Sequence, residues 1–362
     1  MTTSLPPAAH PASPPGGPDK PTRRRPSAPS SVSLLVFARD GGMIVLWVLM
    51  VLCFSVWAAP TFGTYTNATL VLGAAALTAI FAGGIAFGVL CGFIDMSVPG
   101  TAAFSAVVAG KILVGGQPVW VAVLAGTGVG ALVGVVNGLI VLRGLNPLVV
   151  TIGSLSVLTG LASVVSTGVP VDGLSALHGI GTDSYWGIPA PVYVAALVFV
   201  LGTGFVTQTR HGARMVAVGG NPDAVRRAGV NSSGYIILAF VLVGICSAIG
   251  GIVTAAVVTS ATPAVAPSVL FDALTAVALS GMPLTGGRGS FPRVLVGALI
   301  IATISSALVI QDVQPYWATA TSGMLLISAL GVERALGHAI AGRLVTKDAV
   351  PTRNPDPEEV TA

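Results

Sequence analysis

The chain has 362 residues, of which 53% are hydrophobic and only 8% charged, with a formal net charge of +4 and a mean hydropathy of +0.89. A soluble globular domain carries about 25% charged residues, so composition excludes a water-soluble fold and points to a multi-spanning, all-α membrane protein. Three cysteines, Cys53, Cys91 and Cys246, lie in or beside apolar stretches. They offer neither a disulfide framework nor metal-ligand spacing, so no metal site is expected.

The first forty residues form a separate region rich in Pro, Ser and Gly, with a basic cluster at Arg23, Arg24 and Arg25. Such a segment buries too little apolar surface to offset ordering entropy, and a disordered cytoplasmic tail is predicted over 1–40. A membrane domain follows over 41–335, and a second cytoplasmic tail over 336–362. A spanning helix needs roughly 20 apolar residues. Ten stretches come close to that: 42–59, 68–90, 98–114, 119–142, 148–166, 188–206, 235–259, 265–282, 294–310 and 317–332. The third, eighth and tenth are short and carry Gly, Pro or Asp. They are expected to be broken or partly re-entrant, which lipid tolerates only where neighbouring protein satisfies the freed backbone groups.

With the N-terminus inside, ten spans place every Lys and Arg in the cytoplasm except Lys111, out of 17 in all. That asymmetry fits the positive-inside rule, and one missed helix would move the downstream charges across the membrane. Both termini are therefore expected inside, with the lipid bilayer as the chain's surroundings and no nucleic-acid partner.

Along the fourth span, Gly126, Gly130, Gly134 and Gly138 recur every four residues on one face. This small-xxx-small spacing allows close helix contact, with either a helix of the same chain or a second copy. Asp95 and Asp272 are the acids nearest to apolar sequence, and a carboxylate in the membrane usually faces a cavity or a partner. Asp95 is read as sitting in water and capping the next helix together with Ser97, and Asp272 as pointing into the bundle or a pathway.

Between the sixth and seventh spans the loop 209–234 holds Arg210, Arg214, Arg226 and Arg227. It reads as cytoplasmic, with one short helix inside it. Asn221 is a good N-cap, Pro222 suits the first helical position and Asp223 complements the positive end of the dipole. Gly229 can close the last turn in a left-handed conformation. Two turns are marginal alone, so Ala224, Val225 and Ala228 are expected to pack inward while Arg226 and Arg227 point away.

Several motifs in this order resemble the ribose-type permease subunits of bacterial ABC importers, a group that extends to xylose, galactose and branched-chain amino acid permeases. The segment "CGFIDMSVPGTAAFSAVVAG" is similar to the family's Gly-Gly-Ile-Asp-Leu-Ser-Val-Gly stretch, and "NPLVVTIGSLSVLTGLASVV" to its Pro-Phe-Ile-Val-Thr-Leu-Gly stretch. The run "LFDALTAVALSGMPLTGGRGSFPRVLVGALI" resembles its closing Leu-Asp-Ala and Gly-Arg-Gly-Ser stretch. Phe93, Pro99 and Leu270 depart from the family pattern, at positions that bear on the solute rather than on the fold.

The resemblance implies a coupling segment at Gly220, Asn221, Asp223, Arg226, Arg227 and Gly229, docking into a cytoplasmic ABC ATPase. It further implies an extracytoplasmic sugar-binding protein, a second permease copy, either identical or a paralogue, and a place in the bacterial cell membrane. Asp95, Ser97, Asn146, Thr151 and Asp272 are candidate lining residues for a small polar solute, most simply a monosaccharide.

No cofactor is expected on this chain, because ATP-Mg would be used by the separate ATPase. The nearest approach to a phosphate loop, "TGGRGS", lacks the lysine. Its four histidines, His10, His178, His211 and His338, lie in tails and loops, with no nucleophile beside them. An ion-coupled secondary transporter is the alternative; it calls for acidic or histidine relays at mid-bilayer.

Overall fold

The computed structural model describes residues 31–314, 317, 319–331 and 334. The tail expected over 336–362 lies outside them, as does the first tail up to residue 30. The helix α1 (Ser31–Trp57) takes in residues 31–40. Nearly everything else is helical: α2 (Tyr65–Leu90), α3 (Val98–Val114), α4 (Val119–Leu142), α5 (Pro147–Ser166), a single turn α6 (His178–Gly181), α7 (Ala190–Gln208), α8 (Arg210–Gly220), α9 (Pro222–Arg227), α10 (Ser232–Val258), α11 (Ser268–Leu279), α12 (Arg293–Ile310) and α13 (Thr319–Gly331). Among the described residues strands occur only as two-residue pieces: β1 (Val171–Asp172) pairs antiparallel with β4 (Ser260–Ala261), and β2 (Ser184–Tyr185) with β3 (Ile188–Pro189).

Six of these helices, α2, α4, α5, α7, α10 and α12, are long and apolar enough to cross a bilayer. The apolar part of α1 (Gly42–Trp57), together with α3, α11 and α13, is shorter. At 12 residues, α11 is about 18 Å long, well short of a hydrocarbon core of about 30 Å. It covers only the middle of the stretch 265–282, because Pro267 stands just before its first residue and Gly281, at φ +72°, turns the chain just after Ser280.

The centre of the bundle is built from α2 and α10, and both are composed largely of small residues. Gly83, Gly84 and Gly88 on α2 and Gly244, Gly250 and Gly251 on α10 are buried. Where α2, α7 and the start of α12 meet, Phe291 packs between Phe87 and Phe199, with ring centroids 4.7 and 5.0 Å apart. Phe93 stacks on Phe240 at 3.9 Å.

All four glycines of the α4 face are buried. A Cβ added at Gly134 would come within 2.6 Å of the Val241 Cα, and one at Gly138 within 3.0 Å of the Ile237 Cα. At Gly130 it would strike the carbonyl of Gly244 and approach the Ala248 Cβ to 2.6 Å, and at Gly126 it would meet the Ile252 Cδ1 at 2.8 Å and the Ser105 carbonyl at 2.9 Å. The partner of this face is thus α10 of the same chain, with α3 beside it. Close approach of this kind is a main source of helix association in lipid, where no hydrophobic drive separates helix from helix.

Replacing Gly130 or Gly134 by Leu is therefore expected to force α4 from α10 and sharply lower the yield of monodisperse protein in size-exclusion chromatography. Gly128, with nothing within 4 Å of its added Cβ, supplies the control, since Gly128→Leu should express normally.

Candidate functional site

The arginine-rich segment is more ordered than a loop with one short helix. Its first half is α8, whose N-cap Thr209 accepts the Gly212 N–H through its side chain at 3.0 Å. Met215 and Val218 are buried beneath it while Arg210, His211 and Arg214 lie on the exposed side. The Tyr235 hydroxyl at the start of α10 faces His211 Nδ1 at 3.2 Å and accepts from Arg214 Nη1 at 3.4 Å. This amphipathic helix is missing from the sequence reading because its mean hydropathy is neutral. Its signal was there in the spacing of Met215 and Val218 against Arg210 and Arg214.

The second half is α9. The Asn221 side chain accepts the Ala224 N–H at 2.9 Å, and Pro222 occupies the first turn. Gly229 has φ +79°, and two bonds close the helix around it: Gly229 N–H to the Arg226 carbonyl at 3.0 Å and Val230 N–H to the Val225 carbonyl at 3.2 Å. That is the Schellman pattern, completed by Val225 and Val230, which pack against the core. Ala224 and Ala228 were expected to pack inward with Val225, but both are exposed. A six-residue helix held at its ends by caps needs only the Val225–Val230 contact to stay on the bundle. Arg226 pairs with Asp223 in full view of solvent, an arrangement that contributes little stability, and Arg227 is exposed.

Just before α9, three backbones meet without side chains between them. Gly219 lies against the Leu90 carbonyl and Cys91, Gly286 against Gly92, and Gly287 against Gly220; the Gly287 N–H donates to the Leu90 carbonyl at 3.2 Å. Gly92, Gly286 and Gly287 have φ of +92°, +88° and +76°, where a side chain would be strained as well as crowded. The end of α8 is thus joined to the α2–α3 turn and to the α11–α12 turn at one point.

The same α2–α3 turn carries Asp95. Its Oδ1 accepts both the backbone N–H of Ser97 at 2.8 Å and the Ser97 hydroxyl at 2.6 Å. Asn137 on α4 donates from Nδ2 to Ser97 Oγ at 3.1 Å and accepts the Ser154 hydroxyl of α5 on Oδ1 at 2.5 Å. Asp95 was expected in water, capping α3 together with Ser97. It is instead only 2% exposed, and Ser97 makes no side-chain capping bond. The capping geometry is lost because the Ser97 hydroxyl is committed to Asp95. Asn137 and Ser154 were not singled out from sequence, although a lone Asn in "GVVNGLI" was a visible sign.

The remaining candidates lie apart from this chain of bonds. Asn146 is exposed and caps α5 by accepting the Leu148 N–H at 2.9 Å, while the buried Thr151 bonds the Leu148 carbonyl at 3.2 Å. Asp272 is on α11. Its Oδ1 is buried with no hydrogen-bond partner among the described residues, close to Ser322 of α13. Thr275 ties the same two helices by donating to the Ser322 carbonyl at 3.3 Å. Among the described residues no group of three or more His, Cys, Asp or Glu is placed to hold a metal ion.

A bundle of spanning helices, with several shorter apolar helices among them and a capped amphipathic segment at one end, defines a multi-pass α-helical membrane protein. Residues 67–330 match the family model described as branched-chain amino acid transport system / permease component, and the chain belongs to this permease family, of the ribose type. It is 32% identical to the ribose import permease protein of Bacillus subtilis, over 83% of this chain and 94% of that one. It is 29% identical to the D-allose transport system permease protein of Escherichia coli, over 82% and 91%, and 29% identical to the L-arabinose transport system permease protein of the same species, over 81% and 90%. No solved structure matches the chain.

Removing Asn137 tests the polar chain. Asn137→Leu leaves the Ser97 and Ser154 hydroxyls short of a partner, at a cost of about 1–3 kcal/mol. The expected readout is a lowered apparent Tm in detergent, with Ser156→Ala, on the exposed face of α5, leaving it unchanged.

Proposed function

We propose that this chain is the membrane-spanning permease subunit of an ABC importer for a monosaccharide, crossing the bilayer ten times with both termini in the cytoplasm. The observation that carries the reading is α9: a preformed, doubly capped helix, exposed except at Val225, attached at one end of a permease-family bundle. Relatives over four fifths of the chain are named for ribose, D-allose and L-arabinose. All three are uncharged polyols, and such a solute needs hydroxyl, amide and carbonyl groups rather than ion pairs along its route.

On this reading a separate cytoplasmic ATPase, which binds and hydrolyses ATP-Mg, receives α9 and its flanks, from Gly220 through Asn221, Asp223, Arg226 and Arg227 to Gly229. An extracytoplasmic binding protein delivers the sugar and supplies most of the selectivity. The glycine junction passes movement of α8 and α9 to the α2–α3 turn, and from there through Ser97 and Asn137 to α5. The first turn of α5, with Asn146 and Thr151, lies beside the solute route, together with Asp95, Ser97 and, on α11, Asp272.

The second permease copy is assigned to the open side of α5. There Gly153, Ser156 and Gly160 share one exposed face, and the two glycines have nothing within 4 Å of an added Cβ. Small residues set among the exposed Val149, Val157 and Val164 leave a groove into which a second helix could pack closely.

Two variants separate docking from folding. Gly229→Val puts a β-branched residue at a left-handed position, at a cost of roughly 1–2 kcal/mol that falls on the end of α9. Arg226→Glu with Arg227→Glu reverses the charge of the exposed surface. Both should reach the membrane in normal amount yet retain the ATPase poorly on affinity purification and support no ATP-dependent uptake in proteoliposomes. Full uptake by either set would show the segment to be only a topological signal.

Sidedness is tested by thiol labelling, on a background in which Cys53, Cys91 and Cys246 are replaced. Ala228→Cys should react with an impermeant reagent only after cells are permeabilised, and Asp312→Cys in intact cells. The expected outer loop 311–316 is described only as far as Gln314. Labelling in the opposite pattern would invert the topology.

A further inference from the structure

Strands β2 and β3 form a hairpin with the two-residue loop Trp186-Gly187, at φ +52° and +79°. This is the mirror-image turn that Asn-Gly favours, since both loop residues must be left-handed. A bulky residue at positive φ is unusual, and Trp186 is 94% exposed.

The loop beneath it is braced. Tyr65, the first residue of α2, donates its hydroxyl to the Gly187 carbonyl at 2.7 Å. Tyr193 on α7 donates to the Tyr185 carbonyl at 2.7 Å, and Tyr185 to the Gly179 carbonyl at 3.1 Å. The rings of Tyr185 and Tyr193 meet edge to face at 6.2 Å. An exposed indole is thus held on a fixed support.

Its depth follows from α7, which begins directly after β3. With 19 residues the helix is about 28 Å long, close to the hydrocarbon thickness of about 30 Å. The hairpin therefore falls in the headgroup layer, at the end of α7 opposite to α8. Leu197, Val200 and Leu201 on α7 are exposed, which makes that helix a lipid-facing wall below the hairpin. Two further exposed tryptophans lie at helix ends on the hairpin's side of the bundle: Trp57 closes α1, and Trp120 is the second residue of α4. An indole, with an apolar body and one N–H donor, is favoured where one end is apolar and the other wet.

We propose that Trp186 is a membrane-interface anchor, seated in the headgroup–acyl boundary, and that the tyrosine braces fix the outer ends of α2 and α7 at that depth. The site is one for lipid and stands whether or not the chain imports a sugar.

The test uses the full chain in lipid nanodiscs, with Trp57, Trp120 and Trp317 replaced by Phe, so that Trp47 and Trp186 remain. Subtracting the spectrum of the same protein carrying also Trp186→Phe isolates the Trp186 emission. Lipids brominated near the top of the acyl chain should quench more than half of it, and aqueous iodide very little. Iodide quenching without bromolipid quenching overturns the proposal. So does an emission that changes only when ribose or an extracytoplasmic binding protein is added, which would make the ring a saccharide platform or a protein contact. Should the triple variant fold poorly, a nitroxide on Trp186→Cys in a chain otherwise altered only by replacing its three native cysteines gives the same reading. Collision with oxygen should exceed collision with a water-soluble nickel chelate, and the reverse order overturns the anchor.

Discussion

Direct backbone contact between α4 and α10 is the interaction on which the rest of the bundle depends. Lipid tails are as apolar as leucine, so two greasy helices gain nothing by hiding from them. What remains is dispersion, which falls off steeply with distance and rewards only surfaces that truly meet. Glycine at every fourth position removes the side chains that would hold the helices apart, and Gly130 against Gly244 is the closest point. Helices α2 and α3 pack on the same α10, so its position fixes theirs.

Polar groups are placed where they cannot loosen this arrangement. Asp95, Ser97, Asn137 and Ser154 satisfy one another across the α2–α3 turn, α4 and α5. Buried polar groups left unpaired are costly, and paired ones set a unique alignment of the elements that carry them. The densest group of arginines is kept at the end of the bundle, in α8 and α9. There the backbone is tied down at glycines and the arginines stay in water.

Much of this was legible in the sequence. Apolar runs marked where apolar helices lie, six of them long enough to cross a bilayer and four shorter, and 98–114 and 119–142 coincide with α3 and α4 as built, because a helix that crosses lipid must be apolar over the length the bilayer sets. The caps of α9 were legible for a similar reason: Asn221, Pro222 and Gly229 act on their immediate neighbours. What escaped was non-local. Nothing in the string places Ser154 beside Asn137, or Gly287 beside Gly220, since those meetings depend on how spans far apart in sequence are arranged. Asp95 was misjudged for the same cause, its burial being decided by α4 and α5 rather than by its own turn. In α8 the obstacle was balance, since polar and apolar residues cancel in an average and only their angular order shows a helix.

The contact of Gly130 with Gly244 also limits how the molecule can change shape. Each glycine lies against the other's carbonyl, and the residues on either side carry side chains. Screwing α4 past α10 by one residue, a rise of about 1.5 Å with a rotation of about 100°, would bring Val129 or Ala131 against the opposite backbone. Turning the two helices past one another is therefore sterically opposed, and the pair is expected to behave as a single keel. Rearrangement of the bundle falls more easily to the short α11, whose ends are turns rather than helix.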